Sequence, residues 1–142
     1  MYFLVAALVL AAPAPAEDKK DAEKLQGEWT IVSFDRGTIR EPGDAEATKW
    51  KVVIKDDLMT INDGKRDEKV TIRLDSAKKL KEIDLTPQDK GADAKVLGIY
   101  ELKGDDLKIC FTKAGGARPT KFAWDPDAGQ TLIVFKRQKK DK

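Results

Sequence analysis

Beyond residue 26 the apolar side chains recur at every second position, the period of a strand buried on one face, and not at the 3.6-residue spacing of a helix. The stretch 27–34 places Trp29, Ile31 and Ser33 on one face, with Thr30, Val32 and Phe34 on the other. In 48–55, Trp50, Val52 and Ile54 alternate with positions that are mostly lysine. The same two-residue rhythm marks 58–62, 68–75, 81–87, 95–103, 106–113 and 131–137. Short polar links separate most of these runs: Asp56-Asp57, Asp63-Gly64 and Gly104-Asp105. Asp-Gly is the strongest sequence signal for a two-residue hairpin, so one is predicted at Asp63-Gly64. Longer polar loops are predicted over 35–47, 88–93 and 114–130. Ahead of the first strand, residues 18–26 read as one or two helical turns, acidic early and stopped by Gly27.

Eight sequential strands with hairpin-length links predict an all-β, up-and-down antiparallel meander. Such a sheet hides both edges by closing into an eight-stranded, lipocalin-like barrel, here with a short N-terminal helix. A barrel of that size is just wide enough for its own side chains or for one small ligand. A β-sandwich is the competing architecture, but it needs longer crossovers than most of these links provide.

The first sixteen residues stand apart. They carry no charged side chain and are mostly apolar, whereas 17–24 is almost entirely charged. The apolar run has the length of a signal-peptide core and is too short to span about 30 Å of hydrocarbon. Ala14-Pro15-Ala16 supplies a small-x-small cleavage site, although the basic start usual for a signal is missing. A buried N-terminal helix is the alternative. The expected division is therefore a signal peptide over 1–16, a barrel domain over 17–137 and a basic tail over 138–142, with no transmembrane segment. The expected location is exported, periplasmic or extracellular.

Composition then narrows the chemistry. The chain has no histidine and one cysteine among 142 residues, so a Ser-His-Asp triad, a His-ligated metal and an internal disulfide are all excluded. Charged residues make up 37%, yet the net charge is only +2. A nucleic-acid partner, which calls for a clustered basic excess, is not expected. The positive balance lies at one end. Residues 136–142 hold five bases and one acid, leaving 22 bases against 24 acids in the rest. That tail offers an attachment point for an acidic envelope polymer, anionic lipid or protein partner, or is simply a solvated end.

Leu25-Gln26-Gly27-Glu28-Trp29 resembles the Gly-x-Trp opening of lipocalin-like proteins. The resemblance implies that Trp29 plugs the closed end of a barrel and that a basic residue of the last strand, Lys136 or Arg137, stacks on it. Cation–π stacking favours the arginine. The chain more closely resembles a narrower group of small secreted lipocalin-like domains of unknown function, abundant in planctomycete bacteria. The matching pieces are LQGEW at 25–29, IDLT at 83–86, LGIYELKGDDLKIC at 97–110, GGARPTKF at 115–122 and LIVFKR at 132–137. The chain departs from lipocalins proper in its shorter loops and lack of a disulfide, which argues against a roomy cavity.

Three residues are candidate ligand contacts. Trp50 belongs to the expected inward face. Tyr100 lies on the same strand face as Gly98, and if inward its hydroxyl needs a partner, protein or ligand. Arg118, held between Gly115-Gly116 and Pro119, presents a planar fork suited to carboxylate or phosphate. Its alternative role is to pair with Asp125 or Asp127 and fix its own loop. Gly27, Trp29 and Arg137 form the structural signature. Cys110 is expected to be buried and inert. The pairs Asp56-Asp57 and Asp105-Asp106 sit at expected turns, where aspartate is favoured for local hydrogen bonding, and they lack the spacing of a calcium loop. No catalytic, metal-ligating or cofactor-binding set is expected. The function expected is non-catalytic binding of a small, partly apolar ligand, or else a filled barrel acting through its surface at the cell envelope. An enclosed apolar cavity of about 300 Å³ or more supports a ligand held in the barrel, and an interior packed by Trp29, Trp50 and their neighbours counts decisively against it.

Overall fold

A computed structural model describes residues 16–35, 49–125 and 127–138. The expected signal segment, except its last residue, and the tail beyond Gln138 lie outside the described residues. A helix, α1 (Ala16–Leu25), precedes eight strands: β1 (Gly27–Asp35), β2 (Lys51–Lys55), β3 (Leu58–Asn62), β4 (Asp67–Asp75), β5 (Glu82–Pro87), β6 (Val96–Lys103), β7 (Asp106–Phe111) and β8 (Thr131–Arg137). Each strand pairs antiparallel with the next, and β8 returns to β1, so the sheet is a closed barrel. Closure leaves no sheet edge unpaired. No described helix is long and apolar enough to cross a membrane.

The alternation read along the chain becomes the inner face. Val52 and Ile54 of β2, Val70 and Ile72 of β4, and Ile83 and Leu85 of β5 are all buried in one core cluster. Lys51, Lys55 and Arg73, at the intervening positions, are exposed. The strands thus obey the period-two rule that puts one face in the core and the other in water.

Two local readings are corrected. Phe34 does not lie on the face opposite Trp29 and Ile31. The β1–β8 register shifts between Ile31 and Ser33, a bulge at Val32. One extra residue reverses the alternation beyond it, so Phe34 packs on the core while Val32 is 56% exposed. The second concerns Asp63-Gly64, which does not form a two-residue hairpin. The last β3–β4 pair is Asn62 with Asp67, leaving a loop of residues 63–66. Asp63 wins this contest because its carboxylate accepts the backbone N–H groups of Lys65 and Arg66, each at 2.9 Å. Those two bonds hold its carboxyl below the usual aspartate range.

Gly98 marks neither a bulge nor empty space. A Cβ there would stand 2.8 Å from the Cys110 carbonyl oxygen and 3.2 Å from Ile83 Cγ2. Only glycine lets β5, β6 and β7 approach so closely at this level of the wall.

Candidate functional site

The up-and-down order puts alternate strand ends together, so the barrel has one end carrying α1 and an opposite mouth. The α1 end is sealed. Trp29 is fully buried there, and its Nε1–H donates to the Leu25 carbonyl at 2.8 Å. The Arg137 guanidinium lies 4.3 Å from the Trp29 ring centroid. Arg137 also donates to the carbonyls of Gln26, at 2.7 Å, and Lys24. Its Nε faces Asp105 at 3.3 Å. Gly27 completes the unit. It has φ +121°, and a Cβ there would sit 3.3 Å from Arg137 Nη1. The expected stacking on Trp29 is therefore made by Arg137, and the helix terminus is fastened to β8 by the same side chain.

Tyr100 belongs to this sealed end as well. Its buried hydroxyl donates to Asp21 Oδ2 of α1 at 2.7 Å, and Lys81 Nζ reaches the same oxygen at 2.9 Å. Burial pushes the Asp21 carboxyl up. The hydrogen bonds from Lys81 and Tyr100, with the charges of Lys81 and Lys24, outweigh that and hold it below the usual range. Gln26 ties α1 to the β2–β3 turn. Its Nε2 donates to the Asp56 carbonyl at 3.0 Å, and its Oε1 accepts the Asp56 N–H at 2.6 Å. The partner that Tyr100 requires is thus a protein carboxylate.

Arg118 lies on the outer wall. Its Nη2 meets Asp84 Oδ1 at 2.8 Å, its Nη1 donates to the Gly98 carbonyl at 2.8 Å, and its Nε faces Glu82 at 3.5 Å. The expected local partners are not used, since the Asp125 carboxylate instead accepts the N–H groups of Asp127 and Ala128. The reason is geometric: around Arg118 and Ala123 the segment after β7 lies against β5–β7, so the arginine meets side chains that face outward from the wall. The Cys110 thiol is covered by the same segment and donates to the Ala123 carbonyl at 3.4 Å. Burial pushes its pKa up, which keeps it protonated and unreactive.

Of the three candidate contacts, Trp50 alone stands at the mouth. It packs edge-to-face on Phe34, with centroids 5.8 Å apart and planes at 70°. Such a pair contributes roughly 0.5–1.5 kcal/mol beyond the area it buries. Ile61 at the end of β3, Val96 at the start of β6 and Phe111 at the end of β7 are also half-buried against the core. Four half-buried apolar side chains at strand ends, with Trp50 just ahead of β2, therefore lie on part of the mouth. Below them Tyr100, Leu107, Ile109 and Phe135 fill the interior, each no more than 2% exposed. Sequence reasoning reads Phe111 as inward without placing it at the rim, and misses Phe34, Ile61 and Val96. Ile61, Val96 and Phe111 are inward positions nearest a strand end, a legible signal, whereas Phe34 was concealed by the bulge.

Beside the rim is an open groove of about 340 Å³, lined by residues 66–69 and 88–90. Its lining carries three bases and three acids, so it is not an enclosed apolar cavity. Among the described residues no three Cys, Asp or Glu side chains are grouped to hold a metal ion. No family model, curated protein or solved structure matches this chain.

Proposed function

We propose that this chain is an exported, non-catalytic binding domain of the lipocalin-like group found in planctomycete bacteria, and that its barrel mouth takes a small, partly apolar ligand. The observation that carries this is the contrast between the two ends. One is filled and fastened by α1, while the other displays Phe34, Trp50, Ile61, Val96 and Phe111 half-covered. An apolar surface ringed by polar groups is a usual mark of a binding site. The packed interior rules against a ligand held inside the barrel, so this reading rests on the mouth alone and lays the ligand across it. Tyr100 and Arg118 act in this reading as parts of the scaffold. Export rests on the uncharged apolar run 1–16 and the small-x-small site Ala14-Pro15-Ala16.

Titration of the protein with 1-octanol by calorimetry tests the site. Binding is expected for the native chain. The variant Trp50→Ala is expected to weaken it about tenfold, as loss of one partly buried ring contact of about 1.4 kcal/mol implies. Absence of binding to the native chain would instead favour a filled barrel acting through its surface, a reading supported by the packed lower interior.

The basic tail is proposed as an envelope contact. Deleting residues 138–142 is expected to lower retention on anionic envelope material at low salt, with the difference vanishing at high salt. Equal retention of both proteins at low salt would remove that role.

A further inference from the structure

The α1 end is filled and takes no small molecule, but it presents a surface. Extending the envelope contact proposed for the tail, and resting on it, we propose that this end docks on an anionic lipid bilayer, with Lys78, Lys79 and Leu80 of the β4–β5 link as its anchor. Residues 76–81 hold three bases and no acid. Both ends of the link are pinned. The Asp75 carboxylate accepts the Ala77 N–H at 3.2 Å, and Ser76 is buried. Lys81 reaches Asp21 of α1, and its carbonyl accepts the Tyr100 N–H at 2.9 Å. Lys78, Lys79 and Leu80 are left standing out. The two lysines are exposed and make no ion pair among the described residues. Leu80 is 38% exposed, and it projects from a link, whereas the exposed Val32 and Val53 lie in strands of the wall.

The helix beside the link adds to its charge. From Lys19 onward the exposed side chains of α1 are Lys19, Lys20, Glu23 and Lys24, while Asp21 is buried against Lys81 and Tyr100. This stretch of α1 and the link together present five exposed lysines against one exposed acid. The helix itself begins with Glu17 and Asp18. Other acids of this end stand away from the link: Asp56 and Asp57 on the β2–β3 turn, Glu28 in β1 and Asp106 in β7. The tail leaves from the same end. The Gln138 N–H donates to the Glu28 carbonyl at 2.9 Å, and Lys139, Lys140 and Lys142 follow in sequence. In the closed ring β8 and the β4–β5 link lie on opposite sides. A small anion cannot touch both, whereas a flat anionic surface laid across this end meets both at once. Leu80 then enters the headgroup boundary as an apolar foot. Docked in this way, the barrel holds its mouth away from the bilayer.

Co-sedimentation at low salt tests this, with vesicles of phosphatidylcholine alone or of an equal mixture with phosphatidylglycerol. The native chain is expected on the mixed vesicles and not on phosphatidylcholine. The double variant Lys78→Gln, Lys79→Gln is expected to bind about thirtyfold more weakly, about fivefold for each base removed from near an anionic surface. An environment-sensitive thiol dye at Leu80→Cys, with Cys110 buried, is expected to shift blue on the mixed vesicles. The same dye at Lys90→Cys, beside the mouth, is expected to stay unchanged. Binding that is lost on deleting 138–142 but untouched by the double variant overturns this inference and leaves the tail as the contact. Equal binding to both kinds of vesicle, or a blue shift at Lys90→Cys and none at Leu80→Cys, overturns it as well. Binding to neither vesicle overturns the lipid partner, and retention on immobilised polyglutamate would then keep the tail reading with an acidic polymer in its place.

Discussion

Replacing Trp29 by alanine is expected to remove about 3–5 kcal/mol of folding stability, the range for emptying a buried tryptophan site. The side chain is 1% exposed and sits where α1, β1 and β8 meet. Truncation removes its packing, its hydrogen bond to the Leu25 carbonyl and the platform beneath Arg137. A domain of this size has roughly 5–15 kcal/mol in total, so much of that margin disappears. Trp29→Phe keeps most of the apolar contact but loses the N–H, and is expected to fall between the two. Urea denaturation followed by circular dichroism reads both variants. A midpoint for Trp29→Ala within error of the native one would show that the plug is not what holds the sealed end.

The second large effect is at Asp21. Removing its carboxylate with Asp21→Ala deletes the hydrogen bond from the buried Tyr100 hydroxyl and frees Lys81. Hydrogen bonds to a charged group contribute about 1.5–3 kcal/mol, and Lys81 adds little because it is partly exposed. The pH dependence has a definite sign. The carboxyl titrates lower in the folded protein than its ordinary 3.8, so its contribution is complete above that value and is lost as pH falls through the folded value. Native stability is therefore expected to drop on acidification below about pH 4, and Asp21→Asn to flatten that part of the profile. An unchanged acid profile in Asp21→Asn would place the acid sensitivity elsewhere. If α1 then detaches, the loss appears first in hydrogen exchange of 19–26, ahead of the strands.

The barrel was legible because its signal is local and repeated. Alternation in β2, β4, β5 and β7 follows directly from side chains pointing to opposite faces of a pleat. Short polar links left few topologies open. The Gly27–Trp29–Arg137 unit was expected from the resemblance to the Gly-x-Trp opening rather than from the alternation pattern; its three residues sit at the ends of the first and last strands and meet when the sheet closes. What was not legible depends on backbone choices that the pattern does not encode. A bulge at Val32 moves Phe34 from one face to the other, and nothing in GEWTIVSF distinguishes the bulged from the regular strand. Arg118 could be recognised as a held guanidinium. Its partners Glu82 and Asp84 lie more than thirty residues away and are set by how the chain around Arg118 lies on the wall. Asp21 had no mark beyond being one acid among several in a charged helix.

The central claim is that the mouth binds and the α1 end does not, and the three tryptophans report on it separately. Trp29 lies at the sealed end, Trp50 at the mouth and Trp124 in the segment that runs over the outer wall. The most direct measurement is the indole N–H spectrum of 15N-labelled protein during titration with 1-octanol. The account predicts that the Trp50 signal moves in a saturable way while Trp29, hydrogen-bonded to Leu25, stays fixed. A Trp29 signal that shifts while Trp50 does not, or three signals that never move, would contradict it.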